Sequence, residues 1–75
     1  MLESKVKKII GDYLGIEPKE IELKMDIVED LNINSYDIMS IIGKFEDEFI
    51  VTVPDRDIRR LVTVEDIIKY IEKKM

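Results

Sequence analysis

Residues 28–49 read V-E-D-L-N-I-N-S-Y-D-I-M-S-I-I-G-K-F-E-D-E-F, an acidic lead-in that gives way at Ser35 to a helical pattern. Ile38, Ile41, Ile42, Phe45 and Phe49 fall on one stripe of a helix running from Ser35 to about Phe49, with Met39 at the stripe's edge. Ser40, Lys44, Asp47 and Glu48 lie on its outer side. Asn34 is placed to cap this helix, because its side-chain oxygen can accept from a first-turn N–H that has no partner within the helix. Asp37 adds a carboxylate near the positive end of the helix dipole. Gly43 is a mid-helix cost of about 1 kcal/mol relative to Ala. The stretch therefore presents a serine at the start of a helix, at the end of an acidic loop.

Toward the amino terminus, Leu2, Val6, Ile9, Ile10, Tyr13 and Leu14 form the apolar stripe of a helix from about Glu3 to Leu14, and Gly15 follows as its stop signal. Between the two helices the period is lost. Pro18 and several charges interrupt residues 16–34, yet Ile21, Leu23, Met25, Ile27, Leu31 and Ile33 are spaced through them as apolar anchors. The alternation from Ile21 to Met25 imitates a strand. With no second strand to pair with, the segment reads as an ordered loop, with room for a helical turn. Loops this long in small domains are usually functional or disordered, and the regular anchors favour an ordered one.

Toward the carboxyl terminus, Ile50–Val53 looks extended and Pro54 ends it. Asp55 to Leu61 suits a short helix with Ile58 and Leu61 inward and Arg56, Arg59 and Arg60 outward. Thr63, with Asp66 three residues on, approaches a capping box for a last helix, in which Val64, Ile67, Ile68 and Ile71 keep helical spacing toward Met75. The expectation is one all-α domain over residues 1–75. It is a small bundle of three main helices plus one short helix, with a long ordered loop between the first two.

Composition narrows function by exclusion. The 75 residues carry 12 Lys plus Arg, 17 Asp plus Glu, a net charge of −5, and neither His nor Cys. That inventory removes zinc sites built on His and Cys, thiolate nucleophiles, Ser–His relays and disulfides. A chain this short rarely encloses a substrate pocket, so it is expected not to be an enzyme. Fourteen Ile and no Ala raise the buried area of a domain whose single core supplies only a few kcal/mol. No apolar run is long enough to span a membrane, and the charged start does not read as a secretory signal, so a cytoplasmic location is expected. The acidity is uneven. Residues 17–30 hold six acidic and two basic residues and 31–49 four against one, whereas 1–15 and 50–62 are each +1. Negative charge thus surrounds Ser35, and a nucleic-acid partner is not expected. Asp26, Glu29, Asp30 and Asp37 lack the spacing of a calcium loop and read as solvated charge, so no metal site is assigned.

Residues 28–49 resemble the acyl carrier protein family, where an acidic loop leads through a Leu to an Asp-Ser-Leu triplet and the Ser opens a helix ending in several acids and a Phe. V-K-K-I-I-G-D-Y-L-G-I from Val6, V-P-D from Val53 and the T-V-x-x-x-I-x-Y-I ending from Thr63 fall where the family has them. The resemblance extends over residues 3–72 without a gap. It implies that Ser35 carries 4'-phosphopantetheine, drawn from coenzyme A by a phosphopantetheinyl transferase and joined through a phosphodiester. The terminal thiol of that arm, absent from this Cys-free chain, would hold acyl groups as thioesters. Acyl-transferring and chain-elongating enzymes of fatty-acid biosynthesis, or of a specialised polyketide-like or lipid pathway, would use them. The resemblance further implies a monomer and partner recognition through Asn34, Tyr36, Asp37, Met39, Ser40, Glu46, Asp47 and Arg56. It also implies an acyl-chain cavity lined by Val6, Ile27, Ile38, Ile42, Phe45, Ile58, Leu61 and Ile67. Read from the residues alone, the same eight are the core of a helical bundle.

The chain departs from the family pattern near the serine. Asn34 stands for the usual Asp, Tyr36 for the usual Leu, and Ser40 for a common Glu. Arg56, Arg59 and Arg60 replace a mostly acidic surface. They read as a solvated face paired with Asp55 and Asp57, the alternative being a changed set of partners. A peptidyl or aminoacyl carrier is a second reading, although L-N-I-N-S lacks the Gly-Gly often found before the serine of such carriers. An unmodified, carrier-derived adaptor is a third.

Overall fold

The computed structural model describes all 75 residues. Helix α1 (Leu2–Leu14), a 3-10 turn (Pro18–Glu20), α2 (Ser35–Phe49), α3 (Asp55–Ile58) and α4 (Val64–Lys74) follow one another. α1 packs against the 3-10 turn, α2 and α4, within dimensions of 26 × 26 × 19 Å. The all-α bundle with a long ordered first connection is therefore the observed architecture.

Hydrophobic spacing explains the packing. Thirteen apolar residues form the core, eight of them Ile, and no polar side chain is buried with them. Phe45 is fully buried, with its ring tilted against Phe49 at 6.3 Å. Local chemistry explains the helix ends. Asn34 Oδ1 accepts the Asp37 N–H at 2.8 Å. Thr63 Oγ1 accepts the Asp66 N–H at 3.1 Å while Asp66 Oδ2 accepts the Thr63 N–H at 3.0 Å, closing the capping box. Gly15 ends α1 at φ 76, a left-handed conformation that glycine adopts without steric cost. Gly11 answers a different need, since a Cβ there would lie 2.7 Å from the Ile16 carbonyl oxygen where the chain folds back.

Non-local contacts revise several expectations. The alternation at Ile21–Met25 does have a partner. The Leu23 and Met25 carbonyls accept from the Glu65 and Val64 N–H groups at 2.9 and 3.1 Å, and the Ile27 N–H donates to the Val62 carbonyl at 2.9 Å, around an antiparallel bridge between Asp26 and Thr63. Residue 50 is not extended: Ile50 terminates α2 in the left-handed region at φ 54, with 85% of its surface exposed. α3 stops at Ile58 rather than reaching Leu61. The Arg60 and Leu61 N–H groups donate to the Asp57 and Ile58 carbonyls, a three-residue spacing that tightens the chain and turns Leu61 into the core. The ion pairs expected between the arginines and Asp55 or Asp57 do not form; the pairs present are Glu3–Lys7, Lys8–Asp12 and Glu65–Lys69. Ser4 is exposed within α1 and caps nothing, Met1 being the residue before the helix.

Candidate functional site

Ser35 is the first residue of α2 and is exposed. The preceding turn is held by its own acids. Asp26 Oδ1 accepts the Val28 and Glu29 N–H groups at 2.8 and 2.9 Å, and Asp30 Oδ2 accepts the Asp26 N–H at 2.8 Å. Asn32 supplies the left-handed residue at φ 56, and the Ile33 N–H returns to the Ile27 carbonyl at 3.0 Å. Because Ile27 and Ile33 are both buried, the turn is anchored at each end and delivers Ser35 at a defined place. Asp26, Glu29, Asp30 and Asp37 do not converge, and no group of three or more potential metal ligands is brought together.

Beside Ser35 opens a groove of about 480 Å³. Val28, Ile38, Met39, Ile58, Leu61 and Val62 form its apolar wall, and Asp26, Glu29, Asp55 and Arg59 its polar edge. Beneath it, Ile10, Ile27, Ile33, Ile38, Ile41, Ile42 and Ile67 enclose a gap of about 10 Å³. That is scarcely room for one water, and no acyl chain fits it without side-chain movement. Ile38 borders both spaces. Of the eight residues expected to line a cavity, Ile27, Ile38, Ile42 and Ile67 face the inner gap, and Ile38, Ile58 and Leu61 face the groove. Val6 and Phe45 are fully buried and line neither. The sequence reading had not placed Ile10, Ile33 and Ile41 at the gap, nor Val28, Val62, Asp55 and Arg59 at the groove. Ile33 was visible as a loop anchor and Ile10 and Ile41 as stripe residues; that they meet at the gap depends on how α1, α2 and α4 pack, and the groove residues on where the chain around α3 comes to lie, which no local pattern encodes.

The residues expected to meet partners divide by exposure. Asn34, Tyr36, Met39, Asp47 and Arg56 are exposed, Tyr36 by 77%. Ser40, Asp37 and Glu46 are half-buried. Asp37 Oδ1 accepts the Tyr13 hydroxyl at 2.9 Å, and Glu46 Oε2 accepts the Val53 N–H at 2.8 Å, so each of these carboxylates also holds the fold together. Between α3 and α4, the Tyr70 hydroxyl donates to Asp57 Oδ2 at 2.5 Å. Burial, reinforced by this bond, pushes the Tyr70 hydroxyl up to about 12. The same bond, aided by Arg56 and Arg60, holds the Asp57 carboxyl below its ordinary range. α3 is thereby fastened to α4.

The site is thus an exposed serine at a helix start, beside an open groove of a small helical bundle. Comparison with known proteins gives the class. A family model described as a phosphopantetheine attachment site matches residues 4–71. The acyl carrier protein of Thermotoga maritima is 40% identical over 96% of this chain and 89% of its own length. That of Bdellovibrio bacteriovorus is 37% identical over 97% of this chain and 94% of its own. A solved acyl carrier protein from Enterococcus faecalis superposes with a TM-score of 0.84 at 31% identity, covering 99% of this chain and 94% of that one. The chain belongs to the acyl carrier protein family, whose members bear covalent 4'-phosphopantetheine. The site fits that group. An exposed hydroxyl lies at a helix start whose first N–H groups have no partner within the helix, a setting that favours a phosphate, and the groove alongside has room for a flexible arm.

Proposed function

We propose that Ser35 is the attachment residue and that the protein carries acyl groups as thioesters between enzymes of fatty-acid or a related specialised biosynthesis. The observation that carries this reading is the position of Ser35: exposed, first in α2, and the only serine lining the groove. Ser4 lies within α1, and Ser40 is half-buried in α2. When bound, the group supplies the thiol that this chain lacks. The chain's own residues do the rest. The Asp26–Asp30 turn and the Asn34 cap fix the backbone that presents Ser35 to solvent, and the Ser35 and Tyr36 N–H groups, which have no partner within the helix, would be available to the phosphate. The apolar wall from Ile38 to Leu61 shields the first part of an acyl chain. No internal base is required, since the transferase provides the chemistry of attachment.

The family's partner enzymes are expected to approach over Tyr36, Met39 and Asp47, which are exposed on α2. A peptidyl carrier would present the same serine, and loading preference would separate it from an acyl carrier. The test is incubation of the unmodified chain with a broad-specificity phosphopantetheinyl transferase and coenzyme A, read by intact mass. The wild type gains one phosphopantetheine and Ser35→Ala gains none. A folded wild type with no gain would favour the adaptor reading, and a gain retained in Ser35→Ala would move the site to Ser4 or Ser40.

A further inference from the structure

All three arginines of the chain lie within residues 56–60, and the other nine cations are lysines. The two residue types behave differently in the fold. Lysines make every ion pair, each four residues along a helix, and the arginines make none. Arg56, Arg59 and Arg60 are exposed. Asp57, the acid between them, is turned toward α4, where its Oδ2 accepts the Tyr70 hydroxyl. Arg59 also lines the groove that starts at Ser35, together with the acids Asp26, Glu29 and Asp55. A guanidinium presents a planar fork that matches a carboxylate with two parallel bonds, which a lysine ammonium does not.

We propose that Arg56, Arg59 and Arg60 form a docking surface for acidic side chains of a partner protein, whose basic residues meet Asp26 and Glu29 of the acidic loop in the same groove. The proposal rests on Ser35 being the modified residue, since the groove at Ser35 is what Arg59 and the loop acids Asp26 and Glu29 share. A partner with a uniformly basic rim is attracted to the acidic loop and repelled by the arginines, whereas a rim of both signs satisfies both and fixes the carrier's orientation. An anionic lipid surface fits less well: the chain is net −5, and Asp26, Glu29 and Asp55 sit in the same groove as Arg59.

The test uses the ¹⁵N-labelled full chain before and after loading, with octaglutamate, octalysine and phosphatidylglycerol vesicles as probes. Octaglutamate is expected to shift the amides of residues 56–62. Arg56→Gln/Arg59→Gln/Arg60→Gln should weaken that binding roughly tenfold, as three exposed ion pairs predict. The corresponding triple Lys variant should bind more weakly than wild type, because it keeps the charge and loses the fork. If the triple Gln variant does not fold, Arg59→Gln alone should weaken binding about twofold. Octalysine should shift residues in the acidic loop and α2 and leave residues 56–62 unmoved. Absence of octaglutamate shifts at residues 56–62, shifts unchanged in the Gln variants, or vesicle binding through these residues tighter than octaglutamate binding would each overturn the proposal. Intact mass separates the two readings. Loading without octaglutamate shifts overturns this proposal alone, and octaglutamate shifts without loading overturn the Ser35 assignment on which it rests.

Discussion

The Tyr13 hydroxyl donates to Asp37 Oδ1 at 2.9 Å, joining the last turn of α1 to the first turn of α2 two residues beyond Ser35. The Asp37 N–H is at the same time held by Asn34 Oδ1. Both sides of the serine are therefore fixed by one short chain of bonds running from α1 through Asp37 to Asn34. Tyr13→Phe should lower stability by about 1 kcal/mol, the usual net worth of such a bond. Amide exchange at residues 34–38 should quicken more than elsewhere in α2. Urea midpoints and exchange rates check the two parts separately.

The Asn34 cap yields a second pair of outcomes. Asn34→Ala should cost about 1 kcal/mol, because the Asp37 N–H loses its acceptor. Asn34→Asp keeps the acceptor and adds a charge at the positive end of α2, so its urea midpoint should equal or exceed that of the wild type. If basic transferases dock at this end, Asn34→Asp is also loaded faster, most visibly at low salt.

Backbone strain makes a third prediction. Ile50 is β-branched, 85% exposed and held at φ 54, so its side chain packs little while its backbone is strained. Ile50→Gly should stabilise the protein by about 1 kcal/mol. Gly11→Ala should do the opposite, since its new Cβ would meet the Ile16 carbonyl at 2.7 Å. Thermal and urea unfolding of both variants test the contrast.

The Asp57–Tyr70 bond makes stability pH-dependent at both extremes. Asp57 is held below its ordinary 3.8, so its contribution is present above that value and is lost as pH falls through the lowered one. The Tyr70 hydroxyl is raised from 10.0 to about 12, so its contribution is intact below pH 10 and disappears as pH rises toward 12. The urea midpoint of Tyr70→Phe should therefore differ most from that of the wild type near neutral pH, and the two should converge at both ends of the range.

Ile38 divides the groove from the inner gap. Ile38→Ala should join them and cost the unloaded protein about 2 kcal/mol. A long attached acyl chain would refill that space, so the deficit should shrink in acyl-loaded protein and persist when the arm carries only a short group. Urea midpoints of the loaded and unloaded forms measure it.

Elements encoded within one turn of chain were legible from the residues. The stripes of α1, α2 and α4, the Gly15 stop, the Asn34 cap and the Thr63–Asp66 box all follow from neighbours three or four positions apart, where helix geometry itself brings the groups together. The same spacing placed Ser35 at a helix start, and the resemblance to the acyl carrier protein family singled it out. Contacts between distant residues were not legible. Leu23 and Met25 alternate like a strand, yet only the folded chain shows that residues 62–65 supply the missing partner. Glu46 looked like a free docking carboxylate until its bond to the Val53 N–H placed it in the scaffold.

The sequence by itself determined an all-α chain with an isoleucine-rich core and one serine opening a helix beside concentrated negative charge, because these are matters of spacing and count. Only the tertiary structure decided what surrounds that serine. It shortened α3 to one turn, drew Asp57 toward Tyr70, left the arginines without ion pairs and set Arg59 at the groove. Each of these outcomes depends on where α3 lies against α2 and α4, a position set by burial of Ile58 and Leu61 against residues far away in the chain, and so by a sum of weak contacts that no local pattern records.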